Sequence, residues 1–492
     1  MSKYIIAVDQ STAASKVFLL DESGAIVKRF AKNHRQFYPQ PGYAEHDAEE
    51  IWQNVQEGVA EISQEIPLGD IAALSISNQR ETTVLWKKET GMPVCPAVVW
   101  QDVRGAALCE SLNAHAESVR QRTGLHLSAY FPAAKAASVL RANPEIADAA
   151  REGSLCIGTM DSYLVYRLTG GAIFQTDVSN ASRMQLMNLE KLSWDEKLCE
   201  LFAIPLRCLP DIVPSDGGFG HTANNIVAIP PGIPITGVMG DSHAALFGQG
   251  CLKRGMAKAT YGTGSSVMLN VGERAVLSQN GLSASVGFGF QGKIHYVLEG
   301  NITCSGDTLC WLRDEAGMID DVSEVERIAE SVSDTVGVYF IPAFSGLGAP
   351  YFAGHARGVL CGMNRGTTKA HIIRAALESM AFQDADVIMA MEKDMGKRLK
   401  ELRVDGGPTR NQLLMQFQAD LLDCPVRTAA QSELSALGVG YMAGIAKGVY
   451  ENGLEAIPAA QKPGRVYLPE MDEKKRREYL KGWRTALRHC LS

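Results

Sequence analysis

Tyr4-Ile-Ile-Ala-Val-Asp9-Gln-Ser-Thr12-Ala-Ala-Ser-Lys16-Val-Phe-Leu-Leu-Asp-Glu-Ser-Gly24 and Met256-Ala-Lys-Ala-Thr-Tyr261-Gly-Thr263-Gly-Ser-Ser266-Val-Met-Leu-Asn-Val271 follow one pattern. Each is an apolar strand, a turn of small and hydroxylated residues, and a returning strand. Such a hairpin tip offers backbone N–H groups and hydroxyls to an anion. The first copy also carries a carboxylate, Asp9, suited to a metal. One copy alone reads as an ordinary polar turn. Two copies, one in each half of the chain, are what a duplicated nucleotide clamp needs.

Between them lies Ile233-Pro-Ile-Thr-Gly-Val-Met-Gly240-Asp241-Ser242-His243-Ala-Ala-Leu-Phe247-Gly248. The apolar run reads as a buried strand that turns at Gly240, presents Asp241 and starts a small-residue helix. Around this centre the chain alternates strands and helices, an α/β pattern. Asp47 is a candidate N-cap for a helix to about Ile66. Ile71 to Ser77 reads as a strand delivering Arg80 and Glu81, adjacent charges that would otherwise be a surface ion pair. Val94 to Val99 reads as a strand ending in Trp100-Gln101. Thr176 to Arg183 is polar and loop-like, and Glu299-Gly-Asn301 leads into a helix through Leu312. Leu402 to Asp405 is a strand followed by Gly406-Gly407, where a phosphate can approach the backbone closely, with a helix from Asn411 to Leu422. Ala370 to Met395 and Glu433 to Gly444 read as packing helices.

Two motifs are excluded. Gly287-Phe-Gly-Phe-Gln-Gly292 matches GxGxxG by letter, but the strand pattern Lys293-Ile-His-Tyr-Val-Leu follows it where a dinucleotide fingerprint needs a helix. GxxxxGK[ST] is absent. The 492 residues carry a net charge of -7, with 46% hydrophobic and 21% charged residues, so composition points to a globular protein without general nucleic-acid electrostatics. Eleven scattered cysteines form no CxxC pair, which suggests reduced thiols in the cytoplasm and no disulfide framework. Neither a secretory leader nor a membrane span is expected.

Together these landmarks resemble the FGGY carbohydrate kinases, and among them the branch that phosphorylates glycerol. The matches run in order through Asp9-Gln-Ser-Thr12, Tyr38-Pro-Gln-Pro-Gly42, Glu45-His-Asp47, Asn78-Gln-Arg-Glu-Thr82, Trp100-Gln101, Gly240-Asp241, Tyr261-Gly-Thr-Gly264, Trp311-Leu-Arg-Asp314, Gly346-Leu-Gly-Ala-Pro-Tyr351 and Val404-Asp-Gly-Gly407. A further signature runs from Gly358 to Met363 and on to Glu378. The resemblance implies two actin-like (ribonuclease H-like) domains around a central ATP and substrate cleft. Residues 1–246 would carry the acceptor site, the first phosphate hairpin and the base; residues 247–492 would bind the nucleotide. By the same resemblance, Asp241 is the base and Asp9 helps hold Mg²⁺. Arg80, Glu81, Trp100, Tyr130, Asp241 and Ser242 face the acceptor. Thr12, Thr263, Gly306, Gly407 and Asn411 contact ATP. The partner is a small polyol or sugar, with no nucleic acid and no membrane; oligomeric state, a homo-oligomer included, stays open.

The chain departs from that branch at several points. Ser11 and Lys16 stand where Gly and Arg are usual, and Ser138 stands where Trp is. Asp102-Val103-Arg104 leans toward the pentulose kinases. Ser242 replaces a Gln and Ser266 an aromatic, so the pocket is expected to be roomier and more polar. Two acceptor readings follow, glycerol or a longer tetritol or pentulose. A third reading, an actin-like ATPase without a sugar acceptor, would have no use for Arg80, Glu81, Trp100 and Tyr130.

Overall fold

The computed structural model describes residues 3–226, 228–457, 460 and 464–492. In the first half, β1 (Tyr4–Gln10), β2 (Ala14–Leu20), β3 (Ile26–Asn33), β4 (Ile71–Asn78) and β5 (Ile235–Gly240) form one sheet in the order β5-β4-β1-β2-β3. β2 runs antiparallel to β1 and β3, while β4 and β5 run parallel to β1. Its helices include α1 (Ala48–Ser63), α2 (Pro132–Ala142), α3 (Val178–Ser182) and α4 (Asp241–Gly248).

The second half repeats the plan. β6 (Ala257–Tyr261), β7 (Ser265–Gly272), β8 (Ser283–Phe290), β9 (Lys293–Ile302), β10 (Leu402–Gly406), β11 (Val426–Thr428) and β12 (Val466–Tyr467) form a sheet in the order β8-β9-β7-β6-β10-β11-β12. β6 and β7 are antiparallel, β7 and β9 antiparallel, and β6, β10 and β11 parallel. Leaving aside edge strands β8 and β12, the order and sense match those of the first sheet. This is the ribonuclease H-like plan used twice. Helices α5 (Asp307–Asp314), α6 (Lys369–Met395), α7 (Gln412–Leu422) and α8 (Leu434–Ala446) belong to this half.

Strand alternation explains the layers. Ile6 and Val8 point to α1, meeting Ile51, Val55 and Val59. Ile5 and Ala7 point the other way, toward Leu437 and Val439 of α8. Each fully buried Ile, Val or Leu side chain among these stabilises by about 1.5–3 kcal/mol. Asp47 fixes the start of α1 by accepting hydrogen bonds from Glu49 N and Glu50 N. α8, from the second half, thus covers the first sheet and packs on α4. The division after residue 246 falls inside α4.

The structure corrects three local readings. Thr176 to Arg183 is not a loop: a short strand, Gln175–Asp177, runs into α3, and this segment is almost wholly buried. Its polar side chains satisfy one another. Asp177 accepts from Ser179 N and Asn180 N at 2.9 Å, and Asn180 bonds Asn78. Glu299 does not lead directly into a helix but lies within β9, and α5 starts only at Asp307. Of Val94 to Val99, only Ala97–Val98 is strand, in a small separate sheet. Gly287 to Gly292 is the end of β8 and its turn into β9, so a strand and not a helix follows, as the sequence implied.

Candidate functional site

The parallel strands β1, β4 and β5 end together: Asp9 pairs in register with Ser77, and both Gln10 and Gly240 with Asn78. The next residues are therefore delivered to one edge, the carboxyl ends of parallel strands, where α/β sheets bind ligands. Asp241 opens α4 there. Its Oδ1 accepts from Ser242 N at 2.6 Å and lies 3.4 Å from Arg80 Nε. The side chain is 35% exposed, so one face remains open. Burial pushes its carboxyl above the ordinary range, while Arg80 pulls it down.

Arg80 and Glu81 form no surface pair. Both are buried, and Glu81 holds a left-handed backbone at φ 59°. That conformation costs a non-glycine residue on the order of 1–3 kcal/mol and persists only where its surroundings hold it. They do so through two residues that the sequence reading missed. Arg183, at the end of α3, donates from Nε to Glu81 Oε1 at 2.6 Å. Glu299, on β9, receives the Arg80 fork at 3.0 and 2.7 Å and lies 2.8 Å from Arg183 Nη1. Two guanidiniums and two carboxylates thus balance in a dry setting, where an unpaired charge is very costly. The two arginines hold Glu299 ionised against its burial. One signal could have found it: Glu299 is a lone charge inside the apolar run Tyr-Val-Leu-Glu-Gly.

Tyr130 and Trp100 meet edge to face with ring centroids 5.9 Å apart. Glu81, Arg80, Arg183 and Glu299 all bear electrostatically on the Tyr130 hydroxyl, which burial pushes upward. Trp100 Nε1 donates to Thr12 Oγ1 at 3.0 Å, which joins this wall to the first hairpin tip. Behind Tyr130, the buried Lys135 of α2 donates to the Tyr130 carbonyl oxygen. The Ser242 side chain makes no hydrogen bond among the described residues. Ser266 lies opposite Thr260 on one side and Asn301 on the other, and its Oγ is buried without a partner.

The first hairpin turn is closed by Ser11 N to Ala14 O at 2.9 Å. At its base, Asp9 Oδ1 is buried without a hydrogen-bond partner. Burial raises the Asp9 carboxyl to about 6, against the pull of Lys16 and with a push from Asp241. Lys16 itself pairs with Glu433 at 2.8 Å. The second hairpin turn is closed by Gly262 N to Gly264 O at 2.8 Å. The start of α5 docks on it, with Ser305 N on Thr263 O at 2.8 Å and Gly306 N on Gly262 O at 2.9 Å. A Cβ on Gly306 would stand 3.5 Å from Pro408 Cγ, so Gly306 lies close to the Gly407 turn, and a Cβ on Gly407 would meet nothing within 4 Å. Gly406 makes this approach feasible: at φ 100°, a Cβ there would lie 1.9 Å from Tyr261 O. Asn411 uses its side-chain oxygen to cap α7 through Leu414 N at 2.9 Å. Lys258, buried on β6, donates to Thr260 Oγ1 at 2.8 Å and feels both Asp405 and Asp241.

Two ribonuclease H-like halves, each carrying a small-residue hairpin, define the actin-like phosphotransferase class. Residues 4–248 match the FGGY family of carbohydrate kinases, N-terminal domain, and residues 257–447 its C-terminal domain. The chain belongs to the FGGY family of carbohydrate kinases. It is 43% identical over 493 residues to "Glycerol kinase 2" of Thermotoga maritima, covering 99% of each chain. It is 46% identical over 494 residues to a glycerol kinase of Halorhodospira halophila, covering 99% of this chain and 97% of that one. Among solved structures, the Plasmodium falciparum glycerol kinase with ADP superposes with a TM-score of 0.95 at 36% identity, covering 100% of this chain and 98% of that one.

Proposed function

We propose that the chain transfers the γ-phosphate of ATP to a hydroxyl of glycerol, with Asp241 as general base. The observation that carries this is the half-open Asp241 carboxylate at 3.4 Å from a buried, fixed Arg80, at the shared edge of the strands. A carboxyl raised by burial accepts a proton better than a solvated one. Arg80 donates to the acceptor's hydroxyls and Glu81 accepts from them, while Trp100 and Tyr130 wall the carbon chain. A site built from such groups rejects compounds that leave them unpaired.

Phosphoryl transfer needs in-line placement and neutralised charge more than covalent chemistry. Thr12 and Thr263, at the two hairpin tips, hold phosphate oxygens. Gly306, Gly407 and Asn411 border the space for the nucleotide, whose approach the bare backbone allows. Asp9 fits a magnesium ion: its buried Oδ1 has no other partner. Asp9 would help hold that ion, which neutralises phosphate charge. The acceptor half is 1–246 and the nucleotide half 247–492. All eleven cysteines are free thiols, which suits a reducing cytoplasm. No helix of the described residues is long and apolar enough to cross a membrane.

One observation favours a second acceptor. The buried Ser266 Oγ lacks a partner, which suits a further hydroxyl on a tetritol or pentulose. ADP release measured on glycerol, tetritols and pentuloses tests both readings. Glycerol turned over best is the expected result. A longer acceptor preferred by a wide margin selects the second reading, and ADP release that no polyol or ketose stimulates refutes both.

A further inference from the structure

The buried ion network crosses the junction between the halves. Arg80, Glu81 and Arg183 come from the first half, and Glu299 alone comes from the second, on β9. Both terminal nitrogens of Arg80 are committed to Glu299, at 3.0 and 2.7 Å. Only its Nε side is turned toward Asp241, at 3.4 Å, and Glu81, at 4.0 Å. Arg183 spans Glu81 and Glu299: its Nε donates to Glu81 at 2.6 Å, and its Nη1 forms an ion pair with Glu299 at 2.8 Å without hydrogen-bond geometry. Without Glu299, the fork of Arg80 would have Asp241 and Glu81 as its nearest carboxylates. Either pairing would block a group that the acceptor needs.

Glu299 is also tied to the first half through its neighbouring strand. It pairs with Ser283 of β8. The outer edge of β8 is bonded along the first half: Ala284 N to Gly124 O at 2.8 Å, Val286 N to Ser182 Oγ at 3.0 Å and Gly289 N to Ser215 Oγ at 3.1 Å. Val286 is tied to Ser182, the neighbour of Arg183. The line that joins the halves and the network that orients Arg80 are therefore one mechanical unit.

We infer that Glu299 is a positioning residue for the acceptor: reaching across the junction, it withholds the Arg80 fork from Asp241 and, through Arg183, fixes Glu81. This role rests on the phosphotransfer reading of the site. It acts on acceptor binding and not on the nucleotide, because the hairpin tips and the Gly306–Gly407 border lie outside the network.

Glu299→Gln keeps the shape and removes the charge. The expected result is a KM for glycerol, or for whichever polyol the wild type prefers, raised roughly tenfold or more. The KM for ATP and the affinity for ADP by calorimetry stay within about twofold. Glu299→Asp, which keeps the charge, recovers part of the loss. A folded Glu299→Gln with an unchanged acceptor KM overturns the inference. So does a parallel rise of both KM values, which marks a merely structural role. If Glu299→Gln does not fold, Arg183→Lys, which keeps the charge and loses the fork, has to give the same split; an unchanged acceptor KM there overturns the inference too. A wild type that phosphorylates no polyol or ketose overturns the function itself and this role with it, whereas an active wild type with insensitive variants overturns only the role.

Discussion

Gly438 to Ala is a small change at a helix crossing, and the structure assigns it a large effect on the reaction. Gly438 lies where α8 crosses α4. A Cβ there would stand 1.9 Å from Ala244 O and 2.7 Å from Ala244 C, where contacts under 3.0 Å essentially never occur. The two helices would have to part by about 1.1 Å, the difference between 3.0 and 1.9 Å. No flexible side chain is there to give: the atoms met are all backbone, with Gly248 N at 3.0 Å beside those of Ala244. Overpacking of this kind costs about 1–3 kcal/mol, and the better helix propensity of alanine returns about 1 kcal/mol. The net loss is therefore at most about 2 kcal/mol, a few degrees in Tm for domains of this size. Catalysis suffers more. Asp241 is the first residue of α4, and its backbone oxygen accepts from Ser435 of α8 at 3.0 Å. A displacement of about 1 Å at a reacting group costs on the order of a hundredfold. Steady-state kinetics beside thermal melts should show kcat down by about two orders of magnitude in a folded protein. A kcat within about threefold of wild type would show that the α4–α8 crossing does not set the position of the base.

Other expectations concern buried carboxylates. Asp9→Asn should raise the magnesium concentration for half-maximal activity by roughly tenfold or more, read from a titration at saturating ATP; an unchanged curve removes Asp9 from the metal site. Asp384 is buried on α6, and burial raises its carboxyl from 3.8 to about 7. A group raised in this way favours the fold while both states are protonated, and that contribution is lost as pH rises from the unfolded value to the native one. Asp384→Asn should therefore gain in Tm over wild type as pH rises from about 4 to about 7. A gain that does not grow over that window argues that Asp384 is ionised in the fold.

The duplicated hairpins made the architecture legible, because a strand–turn–strand pattern with small hydroxylated tips is encoded locally and occurs in both halves. Asp241 was legible for the same reason: a strand that ends in Gly240 and passes straight into a helix fixes where one side chain emerges. Thr176 to Arg183 was not legible. Its polar residues pair with Asn78, Ser215 and Val286, all distant in sequence. Composition alone cannot separate polar residues that satisfy one another inside a core from polar residues facing water. The same holds for Glu299, whose partners Arg80 and Arg183 lie more than a hundred residues away in the chain. Lys16, which stands where Arg is usual, lies in β2 beyond the hairpin turn, and its amine is engaged by Glu433, a contact set by how α8 returns across the halves.

The most direct test of the account is Asp241→Asn, followed by single-turnover phosphate transfer and by calorimetry with ADP. The substitution keeps the volume and removes the proton acceptor, while the hairpin tips and the Gly306–Gly407 border are untouched. The account predicts ADP affinity within about twofold of wild type and a transfer rate lower by about 10²–10⁴-fold, the range expected for loss of a general base. A transfer rate near that of wild type would place the base elsewhere and contradict the account at its centre.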